Sequence, residues 1–339
     1  MIKKPIWIGL LLLPFLSNML WEKNRPVSFP QSISTLVYEG DSLNMIELGR
    51  MLFYDPILSA DSSTSCASCH SVYNAFAHVD HDLSHGIRDQ IGKRNAPALF
   101  NLKWQPIFMW DGAVNHIDVQ ALAPITNPLE MDESLAHVVS KLSAQNHYRR
   151  NFAVVYGDSI VTGERILKAI AAFQLSLVSL ESKYDHVMRG EDTFSMVEQK
   201  GYALFQQHCA TCHREPLFTD YSFRNNGLPM DTTLNDWGRY TITLRSEDSL
   251  KFKVPSLRNV EFTFPYMHDG RFKSLYEVLD HYTGGNKNSA NADLELNLPL
   301  SLTSDEQTEL VAFLLTLSDK EFVFNKAYGY RSSQNNITE

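Results

Sequence analysis

Two short cysteine motifs constrain this chain more than any other feature of its sequence. They are Cys66-Ala67-Ser68-Cys69-His70 and Cys209-Ala210-Thr211-Cys212-His213. The chain has 4 cysteines, and all of them lie in these motifs. C-x-x-C-H is the attachment pattern of c-type haem, in which both thiols bond to the porphyrin and the histidine ligates the iron. The sequence therefore predicts two covalent haem c groups, with His70 and His213 as iron ligands.

Zinc half-sites or redox dithiols are the alternative interpretation of paired cysteines. A structural zinc ion takes four converging cysteine or histidine ligands. That requirement gives no reason for a histidine directly after each pair, whereas haem attachment does. The motifs therefore favour haem over zinc.

The first 20 residues predict an exported chain. Lys3 and Lys4 precede the apolar run from Ile6 to Leu16, and a polar segment follows. This is the pattern of a signal peptide, and the apolar run is short for a membrane-spanning helix. Because no small-residue cleavage site stands out, a signal peptide and an N-terminal membrane anchor both stay open. Either one predicts a location in the periplasm or cell envelope.

The charge of the chain limits its partners. The net charge is −9 over 339 residues. An acidic chain is unsuited to nucleic acid, so we predict no nucleic-acid partner. The same charge suits a basic protein partner, although it says nothing about chemistry.

An internal repeat and helical periodicity organise the rest of the chain. Gly49-Arg50-Met51-Leu52-Phe53 precedes the first motif, and Gly201-Tyr202-Ala203-Leu204-Phe205 precedes the second. This shared G-x-x-L-F pattern predicts two copies of one helical haem module. We therefore predict a mostly α fold of two cytochrome-c-like haem domains with long loops. The predicted segments are a leader (1–20), a linker (21–40), an N-terminal haem domain (41–192), a C-terminal haem domain (193–324) and a polar, frayed tail (325–339).

Four helices are predicted from apolar spacing and capping signals. The first runs from Leu43 to Phe53, and another runs from Thr162 to Glu181. Asn127 and Pro128 predict a capped helix start, which would place Glu130 in the first helical turn. Thr303-Ser304-Asp305-Glu306 is a capping box that opens a helix extending through Leu317.

Many ordered motifs give the chain a resemblance to a known family. It resembles bacterial di-haem cytochrome c peroxidases and their MauG-like relatives from about residue 48 to residue 317. Beyond the two haem motifs, the matching segments are Leu48–Phe53, Asp55-Pro56, Leu58-Ser59, Arg94–Pro97, Met109–Gly112, Asn127–Met131, Val254–Val260, Pro265–Gly270 and His281-Tyr282.

The resemblance implies a division of labour between the haems. The C-terminal haem would receive electrons from a small cytochrome c or cupredoxin, and the N-terminal haem would reduce hydrogen peroxide to water. The second possibility is a MauG-like oxidase that uses high-valent haems on a protein or organic substrate. The third is a non-catalytic di-haem electron-transfer protein.

The resemblance also implies roles for individual residues of the reactive site. Glu130 would move a proton between the two peroxide oxygens, which is the task of a general acid and base. Gln120 and Pro124 would line the pocket over the first haem. Trp110 would lie between the haems and pass charge.

The distal ligand of the second haem distinguishes the two branches of the family. Peroxidases of the family place a methionine there, whereas MauG-like proteins place a tyrosine. Tyr282 occupies this position in the present chain, and Met267 is its rival. We predict Tyr282 as the ligand. An anionic phenolate stabilises oxidised iron, whereas methionine raises the potential.

Two further features follow from the resemblance. In some members a loop histidine caps the first iron, and His78, His81 and His85 lie in that loop. We expect all three to be exposed loop residues, with His85 nearest to the expected ligand position.

A calcium ion usually lies between the two domains. The side chain of Asn95 and the backbone carbonyls of Lys253 and Pro255 match its position. One side-chain oxygen is a small set for calcium, which takes six to eight oxygen ligands.

Overall fold

The computed structural model describes residues 29–33, 42–284, 291–293 and 299–331. The regular structure of these residues is mainly helical, as the sequence predicts. The helices are α1 (Ser42–Tyr54), α2 (Cys66–Cys69), α3 (Leu122–Thr126), α4 (Leu135–Ser143), α5 (Asn146–Tyr156), α6 (Gly163–Ser176), α7 (Lys183–Met188), α8 (Met196–His208), α9 (Tyr240–Thr243), α10 (Leu275–Thr283), α11 (Ser304–Leu315) and α12 (Lys320–Val323). The strands β1 (Phe223–Arg224) and β2 (Phe252–Lys253) pair antiparallel.

The same helix crossing occurs twice in the chain. Helix α1 packs against α6, and α8 packs against α11. Each crossing depends on a glycine. A Cβ atom on Gly49 would lie 1.8 Å from the Ala169 carbonyl oxygen, and one on Gly201 would lie 1.9 Å from that of Glu309. No side chain fits in that space, so both glycines are required for the helix backbones to approach this closely.

An aromatic pair accompanies each crossing. The ring centroids of Phe53 and Phe173 lie 5.2 Å apart, and those of Phe205 and Phe313 lie 5.1 Å apart. The G-x-x-L-F repeat in the sequence therefore corresponds to a repeated helix pair in the structure, with its glycine at the crossing and its phenylalanine in the core.

Residues near the C-terminal end of the described chain pack on the first helix pair. Phe322 and Val323 join the buried cluster around Phe76. The Tyr54 hydroxyl donates to the Tyr328 carbonyl at 2.9 Å. Tyr328 and Gly329 thus contact the first helix pair, although most of residues 325–331 are exposed. Residues 332–339 of the predicted frayed tail lie outside the described part.

Two predicted helices have the correct start and a different end. Thr162 caps α6, but that helix ends at Ser176 and not at Glu181. Thr303 and Glu306 form the predicted capping box of α11, which ends at Leu315.

The helix predicted to start at Asn127 is wrong. The Asn127 side chain accepts a hydrogen bond from the Leu129 backbone N–H at 3.0 Å, which favours a turn. Asp132 then has a φ of +47°, outside the helical region. The helix begins at Leu135, with Ser134 as its cap. Glu130 is therefore in a turn and has no helix-capping role.

The predicted leader, residues 1–20, lies outside the described residues. Part of the predicted linker is packed: the Trp104 indole N–H donates to the Pro30 carbonyl at 2.8 Å. Among the residues that the structure describes, no helix is long and apolar enough to cross a membrane.

Candidate active site

Both C-x-x-C-H motifs form a single helical turn. The His70 backbone N–H donates to the Cys66 carbonyl at 3.0 Å, and that of His213 donates to the Cys209 carbonyl at 2.9 Å. Residues three apart on a helical turn lie on the same side. Each turn therefore presents two thiols on one side, and none of the four is in a disulfide.

The two motif histidines are oriented in the same way. His70 Nδ1 lies 2.8 Å from the Phe76 carbonyl oxygen, and His213 Nδ1 lies 3.2 Å from that of Phe218. Since a carbonyl only accepts, each ring donates its Nδ1 proton and leaves Nε2 free for a metal. Burial lowers the pKa of His70 to about 4 and lowers the pKa of His213 below its usual value. Both imidazoles are therefore neutral and suited to iron ligation.

Among the described residues, the motif thiols lack the further ligands that a structural zinc site needs. Burial raises the pKa of Cys66 and of Cys209 to about 12, and the pKa of Cys69 to about 11. Zinc binds thiolates, and a structural site needs four ligands. Within the described ranges, no three histidine, cysteine, aspartate or glutamate side chains are grouped so that they could hold a metal ion.

A cavity of about 290 Å³ lies over the second motif. Cys209, Cys212 and His213 line it, and so do both candidate distal ligands, Met267 and Tyr282. The motif, the mainly apolar lining and the candidates across the cavity fit a covalently bound haem with an iron ligand on each face.

Asn226 connects the two candidate ligands of the second haem. Its side-chain amide lies 3.4 Å from the Tyr282 hydroxyl and 3.5 Å from the Met267 sulfur. Burial raises the pKa of the Tyr282 phenol, so iron would have to displace its proton on binding. The side chains of Tyr282 and Met267 thus both reach the Asn226 amide. Asn226 was missed in the sequence, where it is an asparagine in an Asn-Asn-Gly turn without any distinguishing signal.

Glu130 lies beside the first motif. Its backbone carbonyl accepts from the Ile87 N–H at 2.8 Å. This bond connects the Glu130 turn to the loop that contains His85. In that loop, the His85 carbonyl accepts a hydrogen bond from the Cys69 thiol at 3.4 Å. Burial raises the pKa of the Glu130 carboxyl, and a hydrogen bond of 2.9 Å from Asn127 partly opposes this shift. Glu130 is thus a carboxyl group that holds its proton to a higher pH than usual, next to the first haem site.

The loop histidines differ from one another. His81 is exposed, as we expected, and its ring stacks on that of His85 with centroids 3.9 Å apart. His85 is partly exposed. The expectation is wrong for His78, which is 7% exposed because the loop folds its ring inwards. Its Nδ1 has no hydrogen-bond partner among the residues that the structure describes. The assignment of His85 as a cap on the first iron stays a prediction.

Gln120 is buried and held by a second glutamine. Gln174, on α6, donates to its side-chain oxygen at 2.8 Å. The Gln120 amide in turn points to the Met109 sulfur at 3.9 Å. Gln120 therefore contacts the residue next to Trp110, and its role as a pocket residue stays a prediction. Pro124 lies on α3, where its carbonyl accepts from Met131 at 3.3 Å.

Trp110 connects the first half of the chain to the cavity in the second half. It lines that cavity. Its indole N–H donates to the Asn95 carbonyl at 2.9 Å, and its own carbonyl accepts from the Lys253 N–H of β2 at 2.7 Å. The predicted bridging residue is thus anchored on both sides.

Three charged residues to which the sequence analysis assigned no role hold Trp110 in place. The Arg94 guanidinium pairs with Asp111 at 2.6 Å and makes two bonds to Asp236, at 2.6 and 2.8 Å. Asp111 directly follows Trp110, and Asp236 belongs to the second half. A shared arginine fork of this kind gives a defined geometry. Arg94 and Asp236 lie 142 positions apart in sequence, so no local pattern could have revealed this pair.

The predicted calcium ligands give little support to a calcium ion. The Pro255 carbonyl accepts from His213 Nδ1 at 3.2 Å, and the Asn95 amide donates to the Asp82 carbonyl at 3.0 Å. The Lys253 ammonium is itself buried, 3.3 Å from the Ile107 carbonyl. Three oxygens without a carboxylate fall short of the six to eight that calcium takes. Waters would have to complete the ligand set, and calcium stays a prediction.

Two helix pairs share the same crossing, and in each pair the first helix is followed by a C-x-x-C-H turn whose histidine is neutral. This arrangement defines a di-haem c-type protein. Residues 43–193 match the family model described as di-haem cytochrome c peroxidase. The chain is 37% identical to the methylamine utilization protein MauG of Methylorubrum extorquens over 284 residues, which cover 80% of this chain and 77% of the relative. It is 34% identical to the cytochrome c551 peroxidase of Nitrosomonas europaea over 327 residues, which cover 94% and 92%.

A solved structure agrees with these relatives. It is that of a MauG-like protein associated with microbial copper homeostasis, with a TM-score of 0.78 and 29% identity, and the match covers 89% of this chain and 99% of that one. The chain belongs to the di-haem cytochrome c peroxidase and MauG family. The family implies two c-type haems, as the motifs predict.

Proposed function

We propose that this protein is a di-haem c-type peroxidase that reduces hydrogen peroxide to water with electrons from a small redox protein. The observation that carries this proposal is the position of Glu130, a proton-holding carboxyl next to the first haem motif. Such a group is what cleavage of an O–O bond requires, because one oxygen must lose a proton and the other must gain one. An electron-transfer protein with two capped irons would have no use for it.

The proposed architecture has one haem domain around each helix pair. Cys66, Cys69 and His70 would hold the first haem, and Cys209, Cys212 and His213 the second. The first domain would be the reactive one because Glu130 lies there. We place the protein in the periplasm or cell envelope, where c-type haem is attached in bacteria.

The haems would supply the redox chemistry, and the chain would supply protons and positions. Asn127 holds the Glu130 carboxyl in place from one side, at 2.9 Å. Burial raises the pKa of the Glu130 carboxyl, which brings it closer to the pH at which one group can both accept and return a proton, as general acid–base catalysis requires.

Trp110 would carry electrons between the two sites. Its hydrogen bond to Asn95 and the ion pair of Arg94 with Asp111 keep the indole at the wall of the cavity over the second motif. The donor would be a small cytochrome c or a cupredoxin, and a basic surface on it would match the net charge of −9. No step of the proposed reaction depends on calcium.

Ferric EPR together with a turnover assay tests this function. We expect a high-spin ferric signal from the first haem, directly or after one-electron reduction of the protein, because an open site binds only water. We also expect hydrogen peroxide to be consumed with oxidation of a reduced small cytochrome c. Two low-spin haems in every redox state, with no peroxide consumption, would instead identify an electron-transfer protein.

Tyr282 favours a second candidate function, that of a MauG-like oxidase acting on a protein or organic substrate. A phenolate stabilises oxidised iron and suits a site that stores an oxidising equivalent. Asn226 is placed to donate to that oxygen at 3.4 Å.

Two single variants distinguish the candidate ligands of the second haem. We expect Tyr282→Phe to change its spectrum and raise its potential, since an anionic ligand is lost. The first haem should still react with peroxide. Met267→Leu is the matched variant, because Met267 contacts the same Asn226 amide as Tyr282. It should leave the spectrum of the second haem unchanged. The opposite outcome would make methionine the ligand and a conventional peroxidase the better assignment.

A further inference from the structure

A series of aromatic rings connects the histidine of the first motif to the protein surface. The ring centroids of His70 and Phe53 lie 6.5 Å apart. Phe53 lies 5.4 Å from Tyr54, edge to face, and Tyr54 lies 6.1 Å from Tyr330 in the same arrangement. Centroid distances of this size are those of aromatic rings in contact. The predicted iron ligand of the first haem is therefore linked to Tyr330 by ring contacts throughout.

The two ends of this series differ in their access to water. Phe53 is buried in the core, Tyr54 is half-buried, and Tyr330 is 67% exposed. A small molecule in solution can therefore contact the Tyr330 ring, whereas the core shields Phe53 from it. Tyr330 is the point at which the series meets the solvent.

The chain on both sides of Tyr330 is bonded to helix α1. Before it, the Gly329 carbonyl accepts a hydrogen bond from the buried Arg50 guanidinium at 2.9 Å. After it, Arg331 pairs with Glu47 at 3.8 Å. Arg50 and Glu47 both belong to α1. These contacts hold the exposed Tyr330 ring against the helix that ends in the inner rings of the series.

We propose that Tyr330 is a surface oxidation site, at which small organic reductants give single electrons to the first haem by way of Tyr54 and Phe53. The inference rests on the proposed function, because peroxide must first oxidise that haem. It adds a second activity, since electrons would enter at the first haem without the small redox protein. The substrates are one-electron reductants such as ascorbate.

The step balances in electrons and protons. Tyr330 gives one electron to the oxidised first haem and its phenol proton to bulk water, which leaves a neutral tyrosyl radical. An ascorbate anion then gives that radical a hydrogen atom, which restores the phenol and leaves an ascorbyl radical. Hydrogen peroxide takes two electrons and two protons to form two water molecules, so two such cycles reduce one peroxide.

The surroundings of the two phenols place the radical on Tyr330 and not on Tyr54. A neutral tyrosyl radical forms only when the phenol proton leaves. The Tyr54 hydroxyl donates to the Tyr328 carbonyl at 2.9 Å, and a carbonyl does not take up the proton. Burial also raises the pKa of Tyr54 to about 12, so this phenol keeps its proton. The exposed Tyr330 can release its proton to water, and Tyr54 passes the electron inwards.

The test uses the mature protein with both haems and measures peroxide turnover with ascorbate and, separately, with reduced cytochrome c. In Tyr330→Phe, kcat with ascorbate should fall about tenfold or more, while the KM for hydrogen peroxide stays the same, because peroxide binding is not affected. Turnover with cytochrome c should not change. Samples frozen after mixing with peroxide alone should give a tyrosyl EPR signal in the parent protein and lose it in the variant. A nitroso spin trap with peptide mass spectrometry should locate the adduct at Tyr330.

Tyr276→Phe is the matched control. Tyr276 is also an exposed tyrosine, but it lies on α10, in the half of the chain that contains the second motif. This variant should keep both the radical signal and the turnover with ascorbate. Unchanged ascorbate turnover in Tyr330→Phe would overturn the proposal, and cytochrome c turnover in the same protein would leave the proposed function intact. A parent protein whose haem spectrum does not respond to peroxide would overturn both.

Discussion

Replacement of Cys66 and Cys69 by alanine should leave a protein with one covalent haem. The thioether bonds of the first haem have no other thiols available, because the 4 cysteines of the chain are used up by the two motifs. Haem-stained gels and intact-mass spectrometry should show two haem additions in the parent protein and one in the variant. Peroxide reduction should be lost, since the proposed reactive site is the one removed.

The second motif provides the matched comparison. Cys209→Ala, Cys212→Ala should also retain one haem, and that haem should still bind peroxide. Ser68→Ala, within the first motif, should retain both. One addition or none in the parent protein, made in a host that matures c-type cytochromes, would contradict the haem assignment and everything that depends on it.

Glu130→Gln should lower peroxide turnover by about two orders of magnitude or more, the usual contribution of a positioned acid–base group. Both haems and the fold should remain, because glutamine can still accept the hydrogen bond from Asn127. Since the carboxyl pKa is raised, parent activity should rise with pH through that pKa as Glu130 becomes able to accept a proton. The variant should lack this rise.

Asp132→Asn is the control for Glu130. Asp132 lies in the same turn and pairs with Arg88 at 3.0 Å on the surface. Its replacement should leave turnover and its pH profile unchanged, because exposed ion pairs contribute little. Near-parent turnover in Glu130→Gln would show that peroxide cleavage obtains its protons elsewhere.

Local patterns in the sequence predicted the parts of this molecule that local forces determine. The C-x-x-C-H turns, the capping boxes and the G-x-x-L-F crossing each lie within a few residues, so the spacing alone contains the information. The helix start predicted at Asn127 also rested on a local pattern, and it was wrong because that pattern allows two structures. An asparagine side chain can cap a helix or form a turn with the backbone that follows it. Here Asn127 forms the turn, and the positive φ of Asp132 keeps a helix from starting there.

The site depends on contacts between distant residues. Asn226 contacts Met267 and Tyr282 only after the chain has folded. Glu215 accepts a hydrogen bond from Tyr184, which lies 31 positions away in sequence. Because nothing in one sequence links such residues, motif resemblance could suggest Glu130 and Trp110 as site residues but could not supply their partners.

The return of residues 319–331 to the first helix pair has a consequence for the order of biogenesis. Phe322 and Val323 complete the core around Phe76, the residue whose carbonyl orients His70. Chains are made from the N-terminus, and domains generally fold in that order. Here the module synthesised first must wait for a segment synthesised after both haem motifs. The core around Phe76 can therefore be completed only after the chain has been synthesised beyond both haem motifs.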